Sequence, residues 1–180
     1  MFKAVGLLAL SMVVAANAAQ PTPRAAWQER GLKAFSPEQI EDYLEGRGMG
    51  MALPAELNGY PGPRHLLELA DELDLSAGQR ARTEQLFEDM RLTAVAFGEE
   101  IVTREALLDE LFASGTASEA AVDAATEALG RLNGRLRAHH LRYHLAMREL
   151  LDAHQIEDYQ HLRGHGSPQG SVGHHRHGGH

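Results

Sequence analysis

Residues 76–113 read SAGQRARTEQLFEDMRLTAVAFGEEIVTREALLDELFA, residues 118–150 read SEAAVDAATEALGRLNGRLRAHHLRYHLAMREL, and neither stretch contains a proline. In the first, Leu86, Met90, Ala94, Phe97, Ile101, Leu108, Leu111 and Phe112 recur at helical spacing and form one apolar stripe. In the second, Val122, Ala125, Leu129, Leu132, Leu136, His139, Tyr143, Ala146 and Leu150 step alternately by three and four, a heptad-like seam. Gly98 interrupts the first stripe at a cost of about 1 kcal/mol. Only a short turn around Ser114-Gly115 separates the two segments, and each stripe needs a partner. The pattern therefore predicts an antiparallel helical hairpin.

Working outward, Ser76 with Gln79 and Asp152 with Gln155 have the spacing of helix-capping boxes. The second box opens a last short helix through Ile156, Tyr159 and Leu162, which Gly164 ends. Upstream, Ser36-Pro37-Glu38-Gln39 starts a short helix that runs out near Gly46. Gly46 to Pro63 is dense in breakers and reads as a loop, after which Arg64 to Leu73 resumes a helical pattern. No strand pattern appears, so the expected fold class is all-α: a long hairpin with short flanking helices. The expected organisation is a helical domain over 36–163, a flexible leader over 19–35 and a disordered Gly/His-rich tail over 164–180.

The beginning of the chain has the order of a secretory signal. Lys3 supplies the charge, Ala4 to Ala16 the apolar run, and Ala16-Asn17-Ala18 the small residues of a cleavage site before Ala19. The apolar run is short of the about 20 residues a membrane span needs. Residues 1–18 are thus expected to be removed on export to the periplasm. With no cysteine in the chain, disulfides and thiolate metal sites are excluded. A formal charge of −8 argues against a nucleic-acid partner. No Gly-rich phosphate loop or supported Ser/His/acid arrangement is present, so binding rather than catalysis is expected.

Leu73-Asp74-Leu75-Ser76-Ala77-Gly78-Gln79 and Leu151-Asp152-Ala153-His154-Gln155 resemble the paired L-T-x-x-Q motifs of the Spy/CpxP superfamily. Within it, the likeness is closest to the heavy-metal sensor and resistance branch with CnrX-like and ZraP-like proteins. Gly46-Arg47-Gly48-Met49-Gly50 through Gly59-Tyr60-Pro61-Gly62-Pro63, and Tyr159-Gln160-His161-Leu162-Arg163-Gly164, resemble segments of that group. The similarity covers roughly 36–164 and departs at Ser76 and Asp152, where the family has Thr; all three residue types cap helices. The resemblance implies a four-helix cradle in the periplasm, often dimeric, with ATP-independent chaperoning or metal sensing and buffering as its role. Unfolded client proteins or an envelope signalling protein are the partners it suggests, beside a homodimer favoured by the surplus of apolar stripe.

Eleven histidines are the compositional outlier. His140 and His144 lie one helical turn apart on one face, within reach of a single metal ion. His65 is the candidate third donor, and Met49 and Met51 would add thioethers suited to cuprous copper. The alternative reading makes His139 a core seam residue that His140 and His144 merely border. No Glu follows His140 directly, so a metalloprotease motif is absent. His154, Asp158 and His161 share a second face, either as ligands or as a solvated stripe. His174, His175, His177 and His180 sit among tail glycines that can wrap zinc, nickel or copper without a preformed site. The expected cofactor is therefore a divalent transition metal, zinc, nickel or copper.

Overall fold

The structure, a computed structural model, describes residues 30–164. The expected signal segment 1–18, most of the leader and the tail histidines His174, His175, His177 and His180 lie outside the described residues. Six helices follow in order: α1 (Pro37–Leu44), α2 (Leu53–Glu56), α3 (Pro63–Glu68), α4 (Ala77–Ala113), α5 (Glu119–Leu150) and α6 (Ala153–Leu162). The described residues contain no strand, and the fold is all-α. None of these helices is long and apolar enough to cross a membrane.

The hairpin of α4 and α5 forms as the two stripes require. Ala94 and Ile101 of α4 pack with Leu129, Leu132 and Leu136 of α5 in one buried cluster. The seam runs out toward the turn, where Phe112 is largely exposed. Helix α1 crosses the hairpin, and one close approach explains the glycine in mid-helix. A Cβ on Gly98 would lie 2.0 Å from the Tyr43 carbonyl oxygen, so only glycine lets α1 approach this closely. The Tyr43 hydroxyl also donates to Asn133 Oδ1 at 3.1 Å on α5. The end of the expected leader is also packed: Leu32 is buried and Phe35 meets the Tyr43 ring at 5.0 Å.

A second cluster closes the other end of the hairpin. Leu66, Ala70, Leu73 and Leu75 gather with Met147, Leu151 and Tyr159. Helix α3 stops at Glu68 rather than Leu73, and the chain passes through turns with Asp74 at φ +47°. The breaker-rich loop, in turn, holds one helical turn, α2. Both capping boxes form, and they interlock. Gln79 Oε1 accepts from Ser76 N at 3.0 Å while Gln79 Nε2 donates to Gln155 Oε1 at 2.8 Å and to Leu150 O at 3.1 Å. Gln155 mirrors this, accepting from Asp152 N at 3.2 Å and donating to Gln79 Oε1 at 3.3 Å and Leu73 O at 3.2 Å. Each box caps its own helix, and the two Gln amides bond to each other across the chain.

The seam of α5 changes face in its C-terminal half. The buried positions run Leu136, His140, His144, Met147, whereas the heptad pattern pointed to His139, Tyr143, Ala146 and Leu150. The reason is a second neighbour. His139 keeps to α4, its Nε2 3.0 Å from the Met90 carbonyl, while the segment between α1 and α3 covers the adjoining face.

Candidate functional site

That second neighbour encloses a cavity of about 600 Å³ between the 46–50 loop, the start of α3, and the facing sides of α4 and α5. His140 and His144 both line it. They do not border the core as surface residues would: their exposures are 2% and 6%. Each ring is held by its Nδ1. That of His140 lies 3.0 Å from the Leu136 carbonyl one turn back, and that of His144 lies 2.9 Å from the Tyr60 carbonyl. A carbonyl only accepts, so in both neutral rings Nδ1 carries the hydrogen and Nε2 the lone pair. This is the arrangement of a metal-ligating imidazole braced from behind. The Tyr60 carbonyl is itself braced. Arg148 donates to the neighbouring Gly59 carbonyl and stacks over the Tyr60 ring at 4.9 Å.

His140 Nε2 is buried and has no hydrogen-bond partner. Leaving such a group unsatisfied costs about 1–3 kcal/mol, which folded proteins tolerate where the group has a task. Burial pushes the His140 imidazole below its ordinary 6.5; the Leu136 carbonyl and, more weakly, the Gly46 backbone oppose this, and His139 adds to it. The ring therefore stays neutral, as a ligand must. The unfolded chain takes up a proton near pH 6.5 that the folded site refuses, so folding weakens as pH drops from there to the lowered folded value. Urea midpoints of wild type and His140→Gln should converge as pH falls from 7 toward 5; parallel curves would show that His140 is not desolvated.

Below the two histidines sits an acid that the sequence did not single out. Glu56, at the end of α2, is buried, and its Oε1 is 2.5 Å from His65 Nδ1 and 3.4 Å from the Tyr159 hydroxyl. Arg163 approaches its other oxygen at 3.9 Å. Burial pushes the Glu56 carboxyl up, but the His65 hydrogen bond and the positive charge around it, Arg163 included, outweigh it, leaving a net lowering. Burial, with the Glu56 charge, pushes the Tyr159 phenol up to about 12. Gly62 lets this cluster meet the histidines: a Cβ there would lie 2.8 Å from Glu56 Oε1 and 2.9 Å from His144 Cε1.

No protein-family model, curated protein or solved structure matches the chain. Its function has to be read from the cavity.

The structure brings His65, His140 and His144 to one cavity, with Met49 and Met90 also on its wall. Met51 is elsewhere, packed against the Ala94–Leu136 cluster, because its neighbours Phe35 and Tyr43 close over that core. His154 and Asp158 pair at 2.7 Å on the exposed side of α6, and His161 is exposed on the same helix. Ser76, Gln79, Asp152 and Gln155 serve as caps. Among the described residues no three His, Asp or Glu side chains converge as a ready-made metal cage. Two imidazoles braced at Nδ1 do line one cavity.

Proposed function

We propose that this chain is a periplasmic metal-binding protein serving in heavy-metal sensing or resistance, the role implied by its resemblance to the Spy/CpxP superfamily. The observation that carries the reading is His140 Nε2, buried and unpartnered in a cavity that it shares with His144. The large majority of side-chain nitrogens buried this deeply have a hydrogen-bond partner. Zinc, nickel or copper held there would tie α5 to the 46–62 segment. Its occupancy would thereby alter a surface that a signalling partner could read, with metal as the switch. The tail histidines add a loose outer set of donors.

The test is calorimetric titration of zinc, nickel and copper into the chain from Ala19, with His165, His174, His175, His177 and His180 changed to Ser. Near-stoichiometric binding is expected, weakened about 100-fold or more by His140→Ala or His144→Ala, since even outer-shell losses cost about 10–100-fold. Binding that vanishes with the tail substitutions alone would refute a folded site.

A second reading has its own observation. Leu107 and Phe112 near the hairpin turn are each 61% exposed, and Leu53, Leu57 and Leu92 at least half exposed. Apolar residues left open on a helical scaffold suit an ATP-independent chaperone that holds unfolding clients. Aggregation of a denatured client suppressed equally by wild type and by His140→Ala/His144→Ala would favour that role.

A further inference from the structure

We infer that the cavity is built for a soft monovalent ion, cuprous copper, held by Nε2 of His140 and His144 and the thioether of Met49. This rests on the metal-binding reading above and narrows it to one chemistry. The first argument is the supply of donors. Beside the two imidazoles, the cavity wall offers a third, His65, whose Nδ1 is on Glu56 and whose Nε2 faces Arg163 at 3.5 Å, two thioethers, Met49 and Met90, and carboxylates that are already committed. Asp42 and Glu45 at its rim bind Arg47 at 2.9 and 2.5 Å. Glu56 is engaged by His65, Tyr159 and Arg163. Zinc and nickel favour nitrogen and oxygen or thiolate sets, whereas thioethers select cuprous copper.

The second argument is the placement of Met49. Its φ of +45° is unusual for a residue with a side chain, and it is flanked by Gly48 and by Gly50 at φ +72°. Such backbone costs of order 1 kcal/mol and persists where it aims a functional group. Gly48 packs on His140: a Cβ there would be 3.8 Å from Cδ2, the ring carbon bonded to Nε2. Met49, the next residue, lines the same cavity as that ring. Charge is the third argument. Two neutral imidazoles and a thioether leave a bound cuprous ion with only one positive charge. A dication on the same neutral ligands would be buried with a larger uncompensated charge.

The experiment is anaerobic competition with a chromophoric cuprous chelator, using the tail-substituted chain from Ala19, together with copper-edge X-ray absorption of the complex. One cuprous ion per chain is expected, with sulfur in its ligand shell. Met49→Leu should lower cuprous affinity about tenfold or more while zinc affinity stays unchanged. A nitrogen- and oxygen-only shell, or zinc or nickel bound more tightly than cuprous copper, would overturn the soft-ion inference and leave the metal-binding reading standing. Failure to bind any of these ions would overturn both. The absorption measurement on the parent chain decides the matter even if Met49→Leu folds poorly.

Discussion

Changing Gln155 to Leu is expected to lower the unfolding free energy by about 3 kcal/mol, more than the loss of a single hydrogen bond. Gln155 is 9% exposed, and its amide joins three parts of the chain at once. Oε1 accepts from Asp152 N and from Gln79 Nε2, and Nε2 donates to Leu73 O and Gln79 Oε1. Leucine fills the volume but strands the Leu73 carbonyl and one side of the Gln79 amide, each at about 1–3 kcal/mol. The Asp152 amide, at an exposed helix start, can turn to water and adds little. The same substitution at Gln79 removes the same mutual bond, so the double variant should be less destabilised than the sum of the singles by about 1–2 kcal/mol. Urea unfolding of the four chains measures this coupling. Strict additivity would mean that the two boxes cap their own helices independently, as isolated motifs would.

That interlock shows where sequence reading reaches its limit. Spacing alone identifies Ser76 with Gln79 and Asp152 with Gln155 as caps, because a capping box is local. Nothing local says that the two amides will meet across 76 residues. The hairpin was legible for the same reason the caps were: a stripe of period near 3.6 reports its own buried face. The pattern placed His139 against α4 but missed the burial of His140 and His144, because a heptad assumes one partner helix and α5 has two neighbours beyond Leu136. His140 and His144 were legible as a pair from their spacing, but the carbonyl that holds His144 is that of Tyr60, 84 residues away. Glu56 was invisible: it lies between Pro54 and Asn58-Gly59, in a stretch too short to show any period.

Glu56→Ala is the substitution expected to do most damage around the cavity, about 2–4 kcal/mol. The estimate is the usual cost of breaking a buried ion pair, discounted because His65 is 30% exposed. Removing the carboxylate leaves the fully buried Tyr159 hydroxyl without its acceptor and deprives Arg163, whose Nε already lacks a partner, of its charge complement. Glu56→Gln keeps an acceptor for Tyr159 and should cost less, about 1–2 kcal/mol. The pH dependence separates charge from shape. Because the folded carboxyl sits below its ordinary 4.5, its stabilisation is complete above that value and is lost as pH falls through the lowered folded pKa. The gap between wild type and Glu56→Gln in urea midpoint should therefore be widest near pH 7 and close in acid below about 4.5. A gap that persists unchanged into acid would assign the effect to packing alone. The consequence reaches the metal reading, since Glu56 Oε1 and the His144 ring converge on Gly62. If the acid sets the position of that wall, Glu56→Gln should weaken metal binding only modestly while Glu56→Ala weakens it as much as it loosens the fold.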